Sequence, residues 1–185
     1  MWPFTDEQSF WAWAADPDAV LMEQDEDLLL HDPAGLPLLL DAAGDANCPK
    51  RSYCAAVLCD YSRRVVGWRV AQEYSALQAA ATRASDSRDG WVRWWSEYVS
   101  RLFSYVTDAR PVNRAEAERM ATDLLTCPAN NLVIQIAPGE KHWQCAESGN
   151  CPTYLYINRR TGDYRMSRQH PLSREELRTL YEQRS

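Results

Sequence analysis

The longest unbroken helical pattern in the chain runs from Trp91 to Val106, where Trp91, Trp94, Trp95, Tyr98, Val99, Leu102, Phe103 and Val106 recur at spacings of three and four. That spacing lines one face of an α-helix. Arg93, Ser96, Glu97, Ser100, Arg101 and Ser104 fall on the other side. The pattern predicts a helix capped by Asp86 or Ser87 and stopped before Pro111. Its aromatics bury about 150–250 Å² each, so this helix is expected to make the largest apolar contribution of any one element, with Trp91 to Trp95 read as core.

Shorter helical patterns precede it. Thr5 and Gln8 form a capping-box spacing ahead of Phe10, Trp11, Trp13 and Ala14, and Pro17 ends that helix. Asp16 or Asp18 is placed to cap a second helix through Val20, Leu21 and Leu28 to Leu30, stopped near Pro33 and Gly35. Leu36 to Ala43 reads as a short helix that must pack on a neighbour, Pro49 to Val66 as a longer one with Pro49 in its first turn, and Trp68 to Ala84 as continuing helix after a break or bend at Gly67. Ser85 to Asp89 is a turn.

Beyond Pro111 the period changes. Asn113 and Glu116 form a capping box for a helix to Leu125 that aligns Ala117, Met120, Ala121, Leu124 and Leu125. Leu132 to Ile136, His142 to Ala146 and Thr153 to Asn158 read as strands. Arg159 to Gly162 is a hairpin turn in which Gly162 supplies the positive φ, and Asp163 to Ser167 returns as the fourth strand. Ser173 and Glu176 open a last helix with Leu177, Leu180 and Tyr181 inward. The expected fold class is α+β: N-terminal helical hairpins over residues 1–110, then a helix, a small antiparallel sheet of three or four strands and a C-terminal helix over 111–185, with one shared core left open.

Charge sharpens the division. Through Pro49 the chain carries eleven acidic residues and no Lys or Arg, while the whole has 26 acidic and 20 basic residues and a net charge of −6. A cation-free leading segment repels nucleic acid and attracts a basic partner at long range. Asp16, Asp18, Glu23, Asp25, Glu26 and Asp27, with Trp11 and Trp13 beside them, are therefore the expected partner-binding residues. The competing reading of the same carboxylates is a solvated face that serves solubility or pairs with the chain's own basic part.

Candidate chemistry is sparse. No G-x-S-x-G, glycine-rich phosphate loop or H-E-x-x-H occurs, so no catalytic residue is named and an enzyme is not expected. His142, Cys145 and Cys151, with Cys127 nearby, are the best zinc candidates by residue type. Strand alternation sets His142 and Cys145 on opposite faces, so packed thiols are favoured over a shared metal or a Cys145–Cys151 bridge. No metal or cofactor is expected. Without an apolar run long enough to span a membrane or a leader at MWPFTDEQSF, the chain is expected in the cytoplasm, with no membrane partner, its six cysteines mostly reduced.

Two resemblances bear on function. Gly35 to Arg64, GLPLLLDAAGDANCPKRSYCAAVLCDYSRR, resembles a HEAT-type helical hairpin. Pro111 to Arg168, with its helix VNRAEAERMA, strand LVIQI, Trp-bearing strand HWQC and hairpin TYLYINRRTGDYRMSR, resembles the immunity-protein-35 group of bacterial toxin-immunity domains. Asn158 stands where that group has an acidic residue, and the helical N-terminal half has no counterpart in its short members. The resemblance implies a non-enzymatic protein of bacterial competition that binds and neutralises a cognate toxin domain. The alternatives are a helical adaptor or chaperone-like scaffold and, behind it, a small metal-dependent enzyme. Oligomeric state is left open.

Overall fold

A computed structural model describes residues 3–21, 29, 32–125, 134–138, 141–147, 153–168 and 170–182, with 134–138, 147 and 180–182 as backbone only. The fold is α+β, as expected, and divides into two compact units. The first comprises Met1–Val65 and Arg69–Arg101, the second Val66–Trp68 and Leu102–Ser185. The division thus falls inside the aromatic helix rather than at residue 110.

In the first unit, α1 (Glu7–Ala15) begins one residue later than the pattern suggested. Asp6, not Thr5, is the N-cap: its carboxylate accepts from the Ser9 N–H at 2.7 Å, and the Ser9 hydroxyl oxygen accepts from the Asp6 N–H at 3.2 Å. The second expected helix, through Leu21 to Leu30, lies almost wholly outside the described residues, but Ala19 to Leu21 are not helical, so neither Asp16 nor Asp18 caps there. The helix α2 (Leu36–Gly44) buries Leu36, Leu39, Leu40, Ala42 and Ala43. A turn in which Asp45 accepts from the Asn47 N–H at 2.8 Å leads to α3 (Arg51–Gly67).

The expected continuation past Gly67 fails. Arg69 adopts φ +56, and the Val70 N–H returns to the Val65 carbonyl at 2.8 Å, a six-to-one bond that closes a helix C-terminus. A 3₁₀ turn over Ala71–Glu73 then precedes α4 (Tyr74–Ser85). The aromatic helix α5 (Gly90–Thr107) is capped by Asp89, whose carboxylate accepts from Trp91 N–H at 2.9 Å and Val92 N–H at 3.0 Å. Asp89 also pairs with Arg51 at 2.7 Å. Asp86 and Ser87 stand too far back to cap this helix. Trp95, Tyr98 and Val99 of α5 are buried with Leu58, Tyr61 and Leu77 in the core of this unit.

The second unit carries the sheet. Asn113 and Glu116 exchange the expected reciprocal bonds, both 3.0 Å, at the start of α6 (Arg114–Leu125). The strands β1 (Ile134–Pro138), β2 (His142–Glu147), β3 (Thr153–Asn158) and β4 (Tyr164–Arg168) form an antiparallel meander in sequence order. The register sets Trp143 opposite Ile157 and Cys145 opposite Leu155, and α6 packs on this sheet. Buried polar groups are tied internally: Tyr105 donates to the Asp123 carboxylate at 2.6 Å, Trp143 Nε1 to the Val112 carbonyl at 2.9 Å and Tyr164 to the Val66 carbonyl at 2.7 Å. Gly67 is close-packed, since a Cβ there would lie 2.9 Å from Met166 Sδ.

The last helix, α7 (Arg174–Glu182), has its Ser173–Glu176 box, with the Ser173 N–H donating at 2.8 Å. Leu177, expected inward, is half-exposed, and the side chains of Leu180 and Tyr181 lie outside the described residues. Among the described residues no helix is long and apolar enough to cross a membrane.

Candidate partner-binding surface

Of the residues expected to meet a partner, Asp16, Asp18, Trp11 and Trp13 are described, whereas Glu23, Asp25, Glu26 and Asp27 lie outside the described residues. Asp16 and Asp18 are exposed, and the Asp16 carboxylate accepts from the Asp18 N–H at 2.9 Å, which fixes the turn that leaves α1. Trp11 is half-buried, its Nε1 donating to Glu7 at 3.3 Å.

Trp13 has to be withdrawn from the surface. It is 8 % exposed and enclosed by Phe4 and Tyr53, with ring centroids 5.3 Å and 5.5 Å away, and by Lys50, whose ammonium lies 5.2 Å above the ring. A nine-residue helix could not hide its aromatics by itself; rings from before the helix and from α3 do so instead. The same Lys50 donates to the Pro17 carbonyl at 3.2 Å, which holds its ammonium at the turn that carries Asp16 and Asp18. Val20, just beyond, is 86 % exposed.

The leading carboxylates serve two roles at once. Asp6, Asp16, Asp32 and Asp45 each accept a backbone N–H, the short-side-chain capping that aspartate performs at helix starts and turns. Capping of this kind leaves the negative charge in place. Asp41 pairs with Arg83 at 2.5 Å, whereas Asp6, Glu7, Asp16, Asp18 and Asp45 form no ion pair among the described residues. The first unit, with sixteen acidic and nine basic residues, has a balance of −7, and the second, with ten and eleven, +1.

Two features of the first unit were not legible as sites in the sequence. A cleft of about 470 Å³ has Leu40, Ala84 and Val92 in its lining, with Asp45 and Asp86 beside the Asp41–Arg83 pair. It lies where α2 and α4 end and α5 begins, so helix termini of both signs meet there, and its carboxylates and apolar lining are the features that suit a cationic side chain with an apolar stem. The second is a ladder on α5. Trp91 and Trp94 are half-buried, Trp94 stacks on Tyr98 with centroids 5.4 Å apart and planes 7° from parallel, and the Arg101 guanidinium sits 5.5 Å from the Tyr98 ring. Only Trp95 of the three tryptophans is fully buried. The signal for both lay in three-dimensional pairing of helix ends and in a helix whose aromatic stripe is wider than its core contact.

The zinc candidates separate as strand alternation requires. The His142 ring meets Tyr156, 5.8 Å between centroids, and burial lowers its pKa below the ordinary 6.5. Cys145 is a buried free thiol, pushed up to about 12 by burial and then by Glu118. Cys48 and Cys54 are likewise buried free thiols and Cys59 is buried, while Cys127 and Cys151 lie outside the described residues. Among the described residues no three His, Cys, Asp or Glu side chains gather as metal ligands.

No family model, curated protein or solved structure matches this chain.

Proposed function

We propose that this chain is a cytoplasmic immunity-type protein that binds a cognate bacterial toxin domain stoichiometrically and neutralises it by covering or distorting its active site. The observation that carries the proposal is the excess charge of the leading segment: among the described residues Asp6, Glu7, Asp16, Asp18 and Asp45 form no ion pair, in a unit whose balance is −7. Uncompensated negative charge repels itself, and a basic surface relieves that repulsion on docking. The cleft beside Asp45 and Asp86 offers room for an inserted Lys or Arg, and Trp11 offers an aromatic contact. The resemblance of Pro111 to Arg168 to immunity domains supplies the biological setting, and the helix, Trp-bearing strand and Thr-Gly hairpin occur there in that order.

Co-expression with the product of the neighbouring reading frame tests the proposal. Restored growth together with a one-to-one complex on size exclusion is expected. Unrelieved toxicity, or no complex, overturns it, and a scaffold that binds several unrelated chains without affecting growth would place the protein with adaptors instead.

A further inference from the structure

The cleft of the first unit has an apolar floor and a charged rim. Leu40 of α2, Ala84 of α4 and Val92 of α5 form the floor, and each is buried. Asp41, Asp45, Arg83 and Asp86 stand exposed at the rim. Arg83 is bound by Asp41 at 2.5 Å, so that pair is neutral and the charge left to the cleft is that of Asp45 and Asp86. Among the described residues neither of these two carboxylates forms an ion pair.

Both carboxylates sit on turns that internal bonds already fix. The Asp45 side chain accepts from the Asn47 N–H at 2.8 Å, and its carbonyl accepts from the Cys48 N–H at 3.1 Å. After Asp86, the Ser87 N–H donates to the Ala84 carbonyl at 3.1 Å, the Ser87 hydroxyl accepts from the Asp89 N–H at 3.1 Å, and the Ser87 carbonyl accepts from Arg93 at 2.7 Å. A guest therefore loses little entropy in ordering this rim. The start of α5, which by itself repels a cation, has its Trp91 and Val92 N–H groups covered by the Asp89 carboxylate.

We propose that this cleft receives an arginine side chain of the partner protein, its methylene stem on the apolar floor and its guanidinium bonded to Asp45 and Asp86. The inference rests on the reading of the first unit as the receiver of a basic partner, and it names the side chain that enters. Two features select arginine over lysine. Carboxylates that come from two separate turns need donors spread over a plane, which the N–H groups of a guanidinium provide and a compact ammonium does not. An apolar floor also favours the more weakly hydrated ion. The cleft volume of about 470 Å³ lies within the range of about 300–1,000 Å³ that holds small ligands, enough for the side chain and its flanking peptide groups.

The test is methyl NMR of the full chain titrated with N-acetyl-arginine methylamide and, in parallel, with its lysine and citrulline analogues, the last keeping the shape without the charge. Arginine is expected to shift the Leu40, Ala84 and Val92 methyl signals and to bind more tightly than lysine, with citrulline at least about tenfold weaker. Asp45→Asn/Asp86→Asn keeps an accepting oxygen at both positions and is expected to weaken arginine binding at least about tenfold. Glu97→Gln/Glu175→Gln removes the same charge from exposed positions elsewhere and is expected to leave binding within about twofold. Absence of shifts at those methyls, lysine or citrulline binding as tightly as arginine, or equal losses in the two double variants each overturns the proposal. Unchanged melting of both variants shows that the loss is not unfolding. The titration needs no toxin, so its failure while co-expression restores growth strikes the cleft alone, and success without restored growth strikes the neutralising reading alone.

Discussion

The two units hold themselves together by different means. In the first, short helices meet through apolar and aromatic faces, and its acidic residues divide between local caps and turns, such as Asp6 to Ser9 and Asp89 to Trp91, and pairs with arginines, such as Asp41 with Arg83 and Asp89 with Arg51. In the second, polar groups are buried and spent on long-range ties, such as Tyr105 to Asp123 and Tyr164 to Val66. The comparison teaches where charge remains available. A capping aspartate keeps its charge while stabilising the chain, so the first unit can be both folded and strongly negative. The second uses its buried polar groups internally, and its charge is close to balanced.

This contrast can be broken most forcibly in the apolar core. Trp95 is fully buried in the first unit, so Trp95→Ala is expected to cost about 3–5 kcal/mol of unfolding free energy, read as a lowered denaturant midpoint. A loss below about 1 kcal/mol would mean that the aromatic helix does not anchor this unit. Gly162→Ala comes next, at about 1–3 kcal/mol, because a positive φ and a 3.0 Å approach to the Arg110 carbonyl are both strained. Its effect should fall on the second unit, followed by hydrogen exchange of the β3–β4 turn.

Smaller effects sharpen the difference in polar bonding. Asp6→Ala removes a cap and is expected to cost about 1 kcal/mol, while Asp6→Asn, which retains the accepting oxygen, should cost a few tenths. The smallest is the pH response of the second unit. Burial lowers the His142 pKa, so the folded chain holds that ring neutral while the unfolded chain protonates near 6.5. Its contribution is full above 6.5 and is lost as pH falls through the lower folded value. Melting temperature should therefore decline below pH 6.5, and His142→Gln should flatten that decline; an unchanged slope would remove His142 from the acid response.

Much of the fold could be read from periodicity and caps. The aromatic helix, the Asn113–Glu116 and Ser173–Glu176 boxes and the Gly162 turn all rest on interactions within a few residues, which a sequence displays directly. A break at Gly67 was legible, but the non-helical stretch from Trp68 to Val70 was not, because it depends on Arg69, a residue without glycine's freedom, held in the left-handed region by the Val70–Val65 closure. Asp89 was missed as the α5 cap because Asp86 and Ser87 are equally plausible by type and only the backbone path selects among them. The site was less legible. Charge asymmetry marks the leading segment, but the burial of Trp13 depends on Phe4, Tyr53 and Lys50, and the cleft depends on how the ends of α2 and α4 meet.

On the proposed function, the leading carboxylates steer a basic partner onto the first unit. That steering is tested most directly by stopped-flow association of the chain with the toxin domain from the neighbouring reading frame, at low and at high salt. The measurement compares the natural chain with a variant carrying Asp16→Asn, Asp18→Asn, Asp25→Asn, Glu26→Gln and Asp27→Asn. An association rate reduced at least about tenfold at low salt, with the difference vanishing at high salt, is the predicted result. Equal rates for the two chains at low salt would contradict it.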